Sequence, residues 1–234
     1  MWKVLAGLSL CLSSAVALSA ELSATETRWL TGAWPVVVFA KEARLPLDII
    51  VQPQPTPDAA PLALAYIDGR CKLVLSMRGN AEAEATLARL APELRDAALE
   101  LMAAHELGHC RRYVDGAWHS VPARFAEAGG AAAPPADAPA TAAQAAYADR
   151  QDARREEGYS DLVGLAWTQR RHPELYPQLH AWLVQERARD HAPGSPHDTQ
   201  AWLRLARDGA ALDQASSIFG AASALWVTGL AELD

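Results

Sequence analysis

The sequence predicts an α+β fold, a small N-terminal β-sheet followed by a mostly helical C-terminal half. Three observations carry that expectation. A β-branched run, Val36-Val37-Val38-Phe39, and an alternating run from Cys71 to Met77 both fall in the first third of the chain. From Pro92 onward the apolar residues recur every three or four positions, which is the spacing of a helix face and not of a strand. The chain has 234 residues, half of them apolar, and 21 Lys and Arg stand against 28 Asp and Glu for a formal charge of −7. That is enough apolar material for one ordinary core. The acidic balance argues against nucleic acid as a partner, because phosphate binding rests on Lys and Arg.

Residues 1–20 read as an export signal. Lys3 makes a short basic start, an apolar run extends from Val4 to Leu18, and Ala15-Val16-Ala17 or Ser19-Ala20 offers a cleavage point. The run is short for a bilayer, so no transmembrane span is expected once the signal is removed. Cys11 is a poor lipoprotein site, since Leu10 stands where a small residue is needed. A buried N-terminal helix is the alternative. Export places the protein in the periplasm or outside the cell, and it leaves Cys71 and Cys110 as an even pair where a disulfide persists. Cys110 is poorly placed as a metal ligand, because on a helix it points about 100° away from His109.

The elements follow in order. Val36 to Phe39, bounded by Pro35 and Pro46, suggests a strand, and Gln52 to Pro61, with four prolines, suggests a loop. In the strand predicted from Cys71 to Met77, Leu73, Leu75 and Met77 share one face while Lys72, Val74 and Ser76 share the other. Gly79-Asn80 ends it as a turn. A helix is predicted from Pro92 to about Tyr113, with Leu94, Ala98, Leu101, Met102, His105 and His109 on one broad face. Residues 126–146, almost all Ala, Pro and Gly, suggest a flexible loop. Further helices are expected from Thr141 or Tyr147 to Arg171, from Glu174 to Asp190, and from a cap at Asp198 or Thr199 through about Ala206. Ala215 to Leu230 is too short to span a membrane and suits a packed C-terminal helix. Residues 21–234 are expected to form one domain, with the eight tryptophans mostly in its core.

The sharpest signal is His105-Glu106-Leu107-Gly108-His109. On a helix, residues four apart project from one face, so two imidazoles can converge on one cation while Glu106 reaches a water beside it. The bland alternative is a pair of core histidines bonded to backbone carbonyls. A catalytic site of this kind needs a third protein ligand. Asp115 has the six-residue spacing of the metzincins, but Arg112 stands where that class needs glycine, and Met1, Met77 and Met102 all precede His109. A better source is Glu156-Glu157-Gly158-Tyr159-Ser160-Asp161, where Glu157 and Asp161 are one helical turn apart.

With that segment the chain resembles the gluzincin, thermolysin-like zinc metallopeptidases, in which H-E-x-x-H is followed on another helix by E-x-x-x-D. The resemblance covers these two helices, and it implies a zincin-like fold. It further implies zinc bound by His105, His109 and Glu157, Glu106 as general base, and Asp161 orienting an imidazole, that of His105 in the first instance. Glu156 is the rival ligand, because a register error of one residue would exchange it with Glu157. The resemblance also implies a downstream histidine that stabilises the oxyanion. His197 is the first candidate, with His191 and Tyr159 behind it. Family members bind peptides along an exposed sheet edge, a role open to the Cys71–Met77 strand. Asn80-Ala81 looks like the pair with which they hold substrate backbone, although an ordinary turn explains it equally. The expectation is an exported zinc metallopeptidase acting on a peptide or protein. The alternative is a zincin-fold protein that binds a peptide or protein and turns over slowly or not at all, for which Glu106 would be dispensable.

Overall fold

A computed structural model describes residues 21–57, 59–126, 142–189 and 195–232. Residues 1–20, where the sequence suggests an export signal, most of the Ala/Pro-rich segment and His191 lie outside the described residues. The architecture is α+β, a three-stranded sheet with a mostly helical remainder.

The first element corrects the sequence expectation. Val36 to Phe39 does not form a strand but belongs to helix α1, Ala24–Glu42. A capping box starts this helix upstream. Ser23 accepts from the Glu26 amide while the Ser23 amide donates to the Glu26 carboxylate. Trp29, Ala33, Val36 and Ala40 then fall on one buried stripe. Burial of that stripe overrides the strand preference of the valines, and Pro35 sits inside the helix instead of bounding it.

Strand formation begins later, with β1 at Leu47–Pro53, so the proline-rich loop starts two residues after Gln52. β2, Leu62–Ile67, and β3, Arg70–Arg78, form a hairpin. Its turn residues Asp68 and Gly69 both have positive φ, 51° and 74°, the conformation for which an Asp-Gly pair is suited. β3 lies in the centre, parallel to β1 and antiparallel to β2. Its alternation is as the sequence predicts: Cys71, Leu73, Leu75 and Met77 are buried together.

Asn80 caps a helix that the sequence reading lacked, α2 at Ala81–Ala88. Its side chain accepts from the Glu82 amide and donates to the carbonyls of Ala59 and Ser76. Asn80 is buried, and both of its side-chain N–H donors are committed to the fold.

After a 3-10 turn at Pro92–Leu94 comes α3, Arg95–Val114, which carries the histidine motif. A short helix α4, Ala123–Ala126, precedes the long α5, Ala142–Arg171, then α6, Tyr176–Arg189, α7, Gln200–Leu205, and α8, Ile218–Leu230. Residues 142–146, which the sequence leaves between the loop and a helix starting at Thr141 or Tyr147, belong to the start of α5. Among the described residues no helix is long and apolar enough to cross a membrane.

Two features set the distance between α3 and α5. A Cβ on Gly108 would lie 2.9 Å from the Ser160 Cα, and one on Gly164 would lie 2.9 Å from the Leu101 carbonyl oxygen. Both are closer than real Cβ contacts, so the helices meet where one of them has no side chain. A Cys71–Cys110 disulfide, Cα–Cα 5.6 Å, ties β3 to the last turns of α3. It closes a loop of 39 residues, worth about 4 kcal/mol in the chain-entropy model.

Candidate metal centre

α3 presents His105 and His109 on one face, with their Nε2 atoms 3.1 Å apart and their rings near perpendicular at 86°. Across the tight seam α5 delivers Glu157. Its Oε1 lies 3.3 Å from His109 Nε2 and its Oε2 lies 3.4 Å from His105 Nε2. Donors held about 2.0–2.1 Å from a tetrahedral ion stand about 3.3 Å from one another. Each of these separations is of that order, with Glu157 turning a different oxygen to each imidazole, and one ligand atom from each of the three residues lies within 4.8 Å of the others. Two imidazoles and a carboxylate are a donor set that suits a metal.

The outer nitrogens are engaged as well. His105 Nδ1 lies 2.9 Å from Asp161 Oδ1, and His109 Nδ1 lies 2.9 Å from Ser160 Oγ. In the tautomer that leaves Nε2 open, each Nδ1–H donates to that oxygen, which fixes both rings with Nε2 facing the cluster. The structure brings Asp161 to His105, the contact the resemblance implies, and brings Ser160 to His109, a contact absent from the sequence reading. Ser160 sits three residues after Glu157, one residue before Asp161, and its role depends on the closeness that Gly108 allows.

Asp161 is a hub. Besides His105 it accepts from Thr199 Oγ1 at 2.7 Å and from Nε and Nη2 of Arg187 at 2.9 and 2.5 Å. Arg187 Nη2 also lies 3.2 Å from Glu157 Oε2. Nothing in the sequence marked Arg187, which stands 30 residues beyond Glu157 on another helix.

These contacts set the protonation of the metal-free cluster. Burial works against a charged His105, but Asp161 and Glu157 outweigh it and push its pKa up to about 10. Burial likewise opposes ionisation of Glu157, yet His105 and His109 hold its carboxyl well below the usual range. Asp161 is also lowered, with burial overcome by the Arg187 charge and by His105.

The cluster opens into a cleft of about 910 Å³. Glu106 lines it beside the histidines. His197 lines it too, with Nε2 3.7 Å from Glu157 Oε2 and its side chain partly exposed. Pro61 to Leu64 form one wall, so the strand at the cleft is β2, the edge of the sheet, and not the Cys71–Met77 strand, which is its centre. Trp118 and Tyr113, rings stacked 3.9 Å apart, line it too, with Trp118 edge-on to His109 at 5.6 Å. Trp118 is thus an exception to the core role expected of the tryptophans, which Trp29, Trp167, Trp182, Trp202 and Trp226 do fill. At another part of the rim Arg89 joins α2 to α6 by bonding both Glu82 and Glu186.

The remaining candidates lie elsewhere. Glu156, one residue before Glu157, turns away from the cleft into a buried pair with Arg112, whose Nε and Nη2 reach it at 2.9 and 2.7 Å. It also accepts from the His119 amide at 2.8 Å. Asp115 is on the surface, paired with Arg111 at 2.7 Å. Tyr159 is buried against Trp226 and Arg112 and lines a separate cavity of about 560 Å³ with Arg111 and Asp115.

Comparison with protein-family models, with curated proteins and with solved structures finds no match for the chain.

Proposed function

We propose that the chain is an exported zinc metallopeptidase of gluzincin type that hydrolyses peptide bonds of a peptide or protein substrate. The observation that carries this reading is the convergence of His105, His109 and Glu157, one ligand atom from each lying within 4.8 Å of the others, with Glu106 lining the cleft beside them. Two imidazoles and one carboxylate are a set with which zinc keeps a fourth position open, and His105, His109 and Glu157 would hold it here. When bound, zinc would polarise the scissile carbonyl and acidify the attacking water.

The chain's own groups account for the rest of the reaction. Glu106 takes the proton of the attacking water on its carboxylate and returns it to the amine nitrogen as the carbon–nitrogen bond breaks. His197, which lines the cleft with Nε2 3.7 Å from Glu157 Oε2, would donate a hydrogen bond to the carbonyl oxygen as it gains charge. With no strand on its outer side among the described residues, β2 offers backbone groups to an extended peptide. Trp118 and Tyr113, which line the cleft, would meet its apolar side chains. The leader-like residues 1–20 and the Cys71–Cys110 bridge support a periplasmic or extracellular site of action.

The test is metal analysis of the purified protein together with peptide cleavage by the wild type and by Glu106→Gln. One zinc per chain and hydrolysis that vanishes in the variant are expected. Stoichiometric metal with no hydrolysis of any peptide would instead favour a binding module, and no metal would remove the reading.

A further inference from the structure

The Arg187 side chain enters the cluster from α6 and is largely withdrawn from solvent. Its guanidinium grips both oxygens of Asp161 and places Nη2 3.2 Å from Glu157 Oε2 and 3.4 Å from His105 Nδ1. Glu157 Oε2 thus lies between Arg187 and His105 Nε2, 3.4 Å from the latter, whereas Oε1 is turned to His109 Nε2 at 3.3 Å. We propose that Arg187 is a positioning residue that withholds one oxygen of Glu157, so that the carboxylate meets the cation through the other and a coordination position stays open for water and substrate. The inference rests on the metal-site reading above.

Two physical points support it. A carboxylate free at both oxygens can bind a metal through both, as carboxylate ligands do elsewhere, and this would fill the place that hydrolysis requires. A planar guanidinium with its donors in a rigid fork is the side chain suited to hold two carboxylates at once in fixed directions. There is also a charge effect. A dication beside Glu157 and Asp161 alone would be electrically neutral, and the guanidinium restores one unit of positive charge, which favours an acidic bound water.

A purely structural ion pair between α5 and α6 would make different predictions, so the experiment is chosen to separate them. The metal-free full-length protein is loaded with cobalt(II), and its visible absorption is compared among the wild type, Arg187→Gln and Arg187→Lys at full occupancy, with thermal melts to establish folding. The Gln variant is expected to retain cobalt but to show a weaker, shifted spectrum of higher coordination number. Its kcat/KM should fall by roughly 10–100-fold, the usual effect of removing a partner that orients a ligand. The acidic limb of its pH profile should move upward. The Lys variant keeps one cationic donor and should show the same changes at smaller size. If the Gln variant does not fold, the Lys variant carries the comparison alone. A cobalt spectrum identical to wild type in every folded variant overturns the inference while leaving the metal site intact. Failure of the wild type itself to bind cobalt overturns both.

Discussion

Glu156 and Glu157 are adjacent on α5, both face the helix that carries the histidines, and they sit in opposite chemical situations. Glu156 has a bidentate guanidinium, a backbone amide and almost no solvent, and the Arg112 it holds lies over the rings of Trp226 and Tyr159, 4.6 and 5.4 Å from their centres. Glu157 borders a cleft and is flanked by two imidazole nitrogens and an arginine. The first arrangement is closed, and every strong donor around it is used. The second has two imidazole nitrogens and a carboxylate converging beside an open cleft. Burial of an acid therefore says little about its role until its partners are counted.

Substitutions can break this comparison in order of size. The largest effect belongs to the cleft side: Glu106→Gln should lower hydrolysis by roughly a hundredfold to ten-thousandfold, as loss of a general base does, while zinc per chain is unchanged. Equal turnover in that variant would discard the proposed mechanism. Glu157→Ala should weaken metal retention by more than the roughly 10–100-fold that loss of an outer partner costs. Asp115→Ala, on the surface beside Arg111, should leave retention as it was. Competition with a chelator measures both, and the reverse ranking would show that the wrong acid has been assigned.

On the closed side the expected loss is of stability. Glu156→Ala strands the Arg112 charge in the interior and should cost about 3–5 kcal/mol in chemical denaturation, yet the folded fraction should still bind metal. Removal of the Cys71–Cys110 bridge, by paired Ser substitution, should cost up to about 4 kcal/mol. Wild-type stability in both would mean that neither tie holds the frame.

The smallest effect sharpens the contrast through pH. In the metal-free protein His105 is raised from 6.5 to about 10, so its contribution is fully present below about pH 6.5 and is lost as the pH climbs through about 10. Glu157 and Asp161 are lowered, so theirs is present above the ordinary carboxyl range and lost on acidification. The metal-free melting temperature should fall between pH 6.5 and 10, and metal binding in that window should release a proton from His105. Calorimetry in buffers of different ionisation enthalpy would detect the proton, and buffer-independent heats would count against it.

Local pattern was enough for some of this. The i and i+4 spacing of His105 and His109, the alternation of Cys71, Leu73, Leu75 and Met77, and the turn separating Glu157 from Asp161 are each contained within a few residues. What was missed depends on packing. Val36 to Phe39 has strand-like composition, and only the stripe from Trp29 to Ala40 shows it to be helical. The Asp68-Gly69 turn was a readable hairpin signal that would have located β2. Ser160 and Arg187 carry no spacing signal, because their contacts are created by the approach of α5 to α3 and of α6 to α5.

The motif is written H-E-x-x-H, as though its middle letters were wildcards. In this molecule the second of them is Gly108, and an added methyl there would collide with the backbone of Ser160. A substitution at that letter would preserve the written pattern and still push α5 outward, carrying Glu157 away from the imidazoles and breaking the Ser160 bond to His109. Pattern searches that treat the position as free would score such a variant as intact, whereas a titration with cobalt should find it defective.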